Sequence, residues 1–268
     1  MKTKRNAVSK DASANQRDGF TLLELLVIIG LLALLATIQV SAYAGAKERT
    51  RKTVCASNVR KLTMALQVYG GDNGNKLPLI SGSVAWAWDM PTNVADVLLS
   101  YGLHRRDFYC PSTAPRYTDW ENFLDPTPQQ NLWSFNSSVH IVGYMFALSG
   151  PSCRIAITNQ NTTLQAETIR TGTSSSLAAP PSSERELVAD AILSQPGQNN
   201  AAQRLTGNYN YDDIAGGFYK THTSAHLIRG IPEGSNIGFK DGHVAWRKFS
   251  SPLVNARTTG GSAPVFWW

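Results

Sequence analysis

Only 16% of the 268 residues are charged, and only three are cysteine. Beside a hydrophobic share of 42%, the shortage of charge excludes a disordered tail and leaves apolar material for one sizeable core or two small ones. Gly-x-Ser-x-Gly, a phosphate-binding loop and a dinucleotide glycine fingerprint are all missing, so the common nucleophilic and nucleotide-dependent chemistries have no motif here. Cys55, Cys110 and Cys153 form no Cys-x-x-Cys, and no histidine stands at ligand spacing from them, so spacing gives no metal site. The basic surplus is absent where nucleic acid would need it. The formal charge is +6. Lys2, Lys4, Arg5, Lys10 and Arg17 against Asp11 and Asp18 give the first 19 residues a net +3. Lys47, Arg49, Arg51, Lys52, Arg60 and Lys61 against Glu48 give residues 47 to 61 a net +5, and Glu24 subtracts one. Residues from Leu62 onward therefore sum to −1 and offer phosphates no basic face, which excludes a nucleic-acid partner.

What the chain does have is one long apolar run. Phe20 to Val40 reads FTLLELLVIIGLLALLATIQV, 21 residues whose one ionisable member is Glu24. A helix rising about 1.5 Å per residue crosses the roughly 30 Å hydrocarbon layer over that length, so the run predicts a single membrane span. A cleaved secretory signal would be shorter and end in a small-x-small site; here Ser41 to Ala46 continues in helix-compatible sequence. The lysines and arginines before the run set the N-terminus in the cytoplasm, with Lys47 to Lys52 competing on the other side. Glu24 does not fit a plain anchor. A carboxylate inside the apolar layer costs about 2.5 to 3.5 kcal/mol, so it either snorkels to the headgroups or has a functional partner.

Arg17-Asp18-Gly19-Phe20-Thr21-Leu22-Leu23-Glu24 closely resembles the class III signal of type IV pilins and type II secretion pseudopilins: a basic leader ending in Gly, then Phe, and Glu fifth in the mature chain. The resemblance implies that a prepilin peptidase cuts between Gly19 and Phe20 and methylates the new Phe20 amine. It implies that Glu24 pairs with the Phe20 amine of a neighbouring pilin or pseudopilin subunit, and that an inner-membrane platform assembles the filament. Gly30 stands where many pilins carry a kinking proline. Single-pass anchoring in the inner membrane follows, with the C-terminal domain in the periplasm.

The expected architecture is α+β: a long N-terminal transmembrane and amphipathic helix packed on an antiparallel β-sheet domain. Residues 1–19 would be the cytoplasmic leader, 20–44 the transmembrane part of the helix, 45–70 its periplasmic half, and 71–268 the globular domain. Cys55, Val59, Leu62, Leu66 and Tyr69 lie on one helical face, while Arg60, Lys61 and Gln67 lie off it. Gly70-Gly71 ends the helix. A fragment from about Leu62 to the C-terminus is expected to be soluble, monomeric and without hydrolase activity. Val139 to Leu148 alternates weakly, and Arg154 to Thr158 is expected to pair with Thr163 to Ile169 across Asn159-Gln160-Asn161. Asp241-Gly242, between Asn236 to Phe239 and His243 to Trp246, is a hairpin signal.

That hairpin resembles the C-terminal element of a branch of pseudopilin-like proteins, in which a His lies nine residues before Asp-Gly-His-Val. Here fourteen residues separate His226 from Asp241, and eighteen separate His222 from it. Asp241 and His243 are read as turn and strand residues, against a metal or hydrolytic site. The stretch Tyr69 to Pro78, rich in Asp72, Asn73 and Asn75, is read as a loop. Its oxygens permit calcium, for which no ligand set is assigned. In an oxidising periplasm one disulfide and one spare thiol are permitted, with Cys110–Cys153 favoured and three reduced cysteines the alternative. No catalytic residue is assigned. Besides the filament subunit, a membrane-tethered periplasmic module binding glycans through its seven tryptophans fits the composition.

Overall fold

The computed structural model describes residues 19–82, 84, 86–114, 116–170, 176–258 and 264–268, with the backbone alone at 36–44, 157, 170, 176 and 177. Its residues divide into two compact units, Met1–Ala46 and Lys47–Trp268. The expected leader, Gly19 apart, lies outside the described residues. The class is α+β, helices with antiparallel sheets.

Helix α1 spans Leu22–Asp72. In the first unit its large apolar side chains from Leu22 to Leu35 are all exposed. Among the described residues no helix is long and apolar enough to cross a membrane. The expected span at 20–44 falls partly outside them, at the side chains of 36–44.

In the second unit the predicted helical face is the buried one. Cys55, Val59, Leu62 and Leu66 have no exposed surface, Tyr69 is half-buried, and Arg60 and Lys61 face outward. Asn58, Thr63 and Ala65 are buried as well, so the contact is broader than the sequence stripe. The helix meets a four-stranded sheet ordered Val244–Lys248, Gly234–Phe239, Glu186–Asp190, Tyr144–Phe146, every neighbouring pair antiparallel. The closest approach is at Gly238, where a Cβ would stand 2.0 Å from Thr63 Oγ1 and 3.2 Å from Val59 Cγ1. Only glycine lets the strand and the helix come so near. A domain beginning near Leu62 is therefore too short: Cys55 and Val59 belong to the core, and Asn58 Nδ2 donates to the Tyr109 carbonyl at 3.2 Å.

The Asp241-Gly242 hairpin forms as its sequence predicts. Ile237 faces Ala245, Gly238 faces Val244, and Gly242 takes φ +92°, the left-handed region its turn needs. The hairpin expected from Arg154 to Ile169 does not. Ile157–Asn159 is a 3₁₀ turn, and Ile169–Arg170 pairs instead with Ser176–Leu177. The backbone of this segment pairs elsewhere: the Asn161 N–H donates to the Ala147 carbonyl and its carbonyl accepts from the Ser149 N–H, both at 2.9 Å, while Thr163 bridges to Lys76 and Ile155 to Thr258, and side chains add to these bonds. Buried Asn161 donates to the carbonyls of Ala147 at 2.7 Å and Glu186 at 2.8 Å, and accepts from Arg185 Nε at 2.7 Å. The C-terminal strand Val265–Trp267 pairs with Ile192–Ser194, and Trp267 Nε1 donates to Ser194 Oγ at 2.9 Å. Trp88, Trp133, Trp267 and Trp268 all lie in the core, where they cannot stack on a sugar at the surface.

Candidate functional site

The first unit carries the processing region. Gly19 and Phe20 precede the helix and are exposed. Thr21 and Glu24 bond reciprocally: the Thr21 N–H and hydroxyl donate to Glu24 Oε2 at 2.9 and 2.8 Å, and the Glu24 N–H donates to Thr21 Oγ1 at 3.2 Å. This is a capping box, which satisfies backbone donors that a helix start leaves free. Thr21-x-x-Glu24 ahead of an apolar run is the sequence signal of such a cap. The carboxylate thus has a role within its own chain.

The second unit holds a buried polar cluster that spacing along the chain did not reveal. Cys55 comes from α1 and Cys110 from the segment after a 3₁₀ turn at Arg105–Phe108. Asp190 ends the strand Glu186–Asp190, and His226 precedes the short strand Leu227–Ile228. The Cys55 and Cys110 Sγ atoms, one Asp190 oxygen and one His226 ring nitrogen all lie within 4.8 Å of one another. The Cys55 thiol donates to Asp190 Oδ2 at 2.9 Å, His226 Nε2 lies 2.8 Å from the same oxygen, and Cys110 Sγ lies 3.6 Å from it. Cys110 Sγ is also 3.6 Å from His226 Nε2. Asp190 Oδ1 is buried and has no hydrogen-bond partner among the described residues. The sequence excluded a metal site because Cys55 and Asp190 are 135 residues apart and Cys110 and His226 are 116 apart; the fold brings them together.

An outer ring of side chains orients the cluster. His226 Nδ1 donates to Glu48 Oε1 at 2.7 Å, and Glu48 accepts the Ser112 hydroxyl at 2.6 Å. Tyr144 donates its hydroxyl to Cys55 Sγ at 3.6 Å. The Trp246 ring stands edge-on to His226 at 5.2 Å. His226 adopts φ 56°, a conformation in which histidine is enriched but which aliphatic residues rarely take. Burial opposes its charge, but the Asp190 carboxylate and its hydrogen bond outweigh burial and hold the imidazole pKa far above its ordinary value. Burial pushes the Cys110 thiol up, with Cys55 and Asp190 adding to the effect. Burial would raise Glu48 as well, yet the hydrogen bonds from His226 and Ser112 leave it below the usual carboxylate range.

The other sequence candidates do not converge on this cluster. All three cysteines are free, and the favoured Cys110–Cys153 bridge is not formed: Cys153 Sγ contacts the Leu148 carbonyl at 3.1 Å while Cys110 points to Asp190. Asp241 and His243 sit at the exposed hairpin, where Asp241 Oδ1 accepts from the His243 N–H at 3.1 Å and lies 2.6 Å from its Nδ1, a local turn. Asp72 accepts the Tyr101 hydroxyl at 3.0 Å. His222 is buried between the rings of Trp88, 4.1 Å away, and Tyr117, 5.4 Å away.

The family model of the prokaryotic N-terminal methylation motif matches residues 14–38. Searches of curated proteins and of solved structures find no match. The chain therefore carries a type IV pilin-like prepilin signal, the kind of signal that implies export and processing by a prepilin peptidase.

Proposed function

We propose that the protein is a structural subunit of a filament of the type II secretion or type IV pilus kind. The prepilin peptidase cuts it between Gly19 and Phe20 and methylates the new amine. The observation that carries this reading is the methylation motif over residues 14–38. The apolar run from Phe20 to Val40 holds the subunit in the inner membrane until a platform draws it into a filament, with the second unit in the periplasm. There the run packs among its counterparts, which accounts for a helix whose large side chains are exposed in the single chain.

Glu24 then meets the Phe20 amine of the neighbouring subunit. Its capping bonds to Thr21 use Oε2, and the pairing partner can approach the other oxygen. Two opposite charges in an apolar bundle offset one another's desolvation, and loss of one strands the other. This reading assigns the chain no catalytic role. Expression of a tagged chain in a host with its assembly machinery tests it: sheared filament fractions should contain the tag. A tag confined to the membrane pool, with the filaments intact, would overturn it.

A further inference from the structure

We propose that Cys55, Cys110, Asp190 and His226 form a closed tetrahedral site for a divalent transition-metal ion, zinc being the cation that suits them best, and that this site fastens α1 to the domain. Two thiolates, an imidazole and one carboxylate are a soft-to-borderline donor set, suited to zinc and poorly matched to calcium or magnesium. The sizes agree. Bonds of about 2.3 Å to sulfur and 2.0 to 2.2 Å to nitrogen and oxygen give a tetrahedron with edges of roughly 3.3 to 3.8 Å. Cys110 Sγ already lies 3.6 Å from both His226 Nε2 and Asp190 Oδ2. The His226–Asp190 and Cys55–Asp190 edges, 2.8 and 2.9 Å, are hydrogen-bond lengths and must open by less than 1 Å. The two thiol protons and the Nε2 proton leave to solvent as the ion enters.

Two further observations favour an ion over a mere polar network. Asp190 gathers three donors on Oδ2 while its other oxygen, also buried, has no partner among the described residues. Buried carboxylate oxygens are seldom served so unevenly, and a cation bound to Oδ2 at the centre of the four groups relieves the crowding of three donors on that oxygen. The second is the outer ring. Glu48 accepts Nδ1–H of His226 and so presents Nε2 to the centre, the carboxylate–histidine–metal relay that orients metal-bound imidazoles. Tyr144 adds a donor to the Cys55 sulfur. All four ligands are buried, so no position is open to substrate and the role is structural.

The test uses the full chain, extracted in detergent with its thiols reduced, stripped with a chelator and then given zinc or cobalt alone. One equivalent of zinc per chain should remain after desalting. Cobalt should give the intense visible bands of a tetrahedral centre and a thiolate charge-transfer band. Cys110→Ser and His226→Gln should abolish both, Cys153→Ser should change neither, and Glu48→Gln should weaken affinity about 10- to 100-fold. Should the ligand variants fail to fold, the wild-type cobalt spectrum and the protection of two of three thiols from alkylation by zinc still decide. A folded wild-type chain that retains no zinc and gives no thiolate–cobalt band overturns the proposal, as does a Cys55–Cys110 disulfide in protein isolated from its native compartment.

Discussion

Glu48 and His226 are 178 residues apart in the chain and 2.7 Å apart in the fold. The contact joins the helix to the residue just before the short strand Leu227–Ile228. Lys52 extends the same seam by pairing with Glu233 and by standing 4.8 Å from the Trp246 ring. The helix from Lys47 onward is therefore part of the domain's core and surface alike.

The domain boundary can be checked by truncation. A fragment from Lys47 to Trp268 keeps Glu48, Cys55 and Val59 and should unfold cooperatively in denaturant. One from Leu62 to Trp268 strips three buried positions, Cys55, Asn58 and Val59, and should be insoluble or bind dyes that report exposed apolar surface. Equal cooperativity in the two would refute the boundary.

Gly238→Ala places a methyl 2.0 Å from Thr63 Oγ1. Overpacking of this kind costs about 1 to 3 kcal/mol, against the fraction of a kcal/mol that alanine gains through the unfolded state. Denaturant midpoints should fall accordingly, and Thr63→Ala in the same chain should recover part of the loss.

Acid should act through His222. Burial, and then Arg116, lower its pKa to about 4, against about 6.5 when unfolded. Between those values the unfolded chain binds the proton and the folded one does not. This group's contribution is thus complete above about pH 6.5 and declines as pH falls, by about 3 kcal/mol on reaching pH 4. His222→Leu should flatten that part of the stability profile measured by denaturant titration; an unchanged slope would show that His222 is not held neutral.

Glu24→Gln separates two roles of one carboxylate. Glutamine can still complete a capping box, so the helix start should survive, while the counter-charge for the Phe20 amine is lost. Losing one partner of a buried pair typically costs about 3 to 5 kcal/mol, enough to deplete the variant from mixed filaments. Tagged wild-type and variant subunits, co-expressed, should differ in their ratio between sheared filaments and membrane pool. Equal ratios would reduce Glu24 to a cap.

Local physics made much of this legible in the sequence. The buried face of α1 followed from its 3.6-residue period, and the hairpin at Asp241-Gly242 from its turn residues. The methylation motif is contiguous and so is readable without a fold. The cluster of Cys55, Cys110, Asp190 and His226 was not, because each ligand comes from a different segment and only the packing of α1 on the sheet makes them neighbours. Asp190 left one trace, an acid closing the apolar strand Leu187 to Ala189. The segment from Arg154 to Ile169 misled for the opposite reason: its two halves can pair locally across Asn159 to Asn161, but their backbone bonds to distant segments instead, Asn161 to Ala147 and Ser149, Thr162 to Leu77 and Leu164 to Asn75.

A prepilin cut at Gly19–Phe20 is identified by the mass of its mature N-terminus. Membrane-extracted protein from a host with an active prepilin peptidase should yield an N-terminal peptide beginning at Phe20 with a methylated amine, and Gly19→Val should leave the protein inserted and uncut. Wild-type protein that retains Met1 in that host, or begins at any residue other than Phe20, would contradict it.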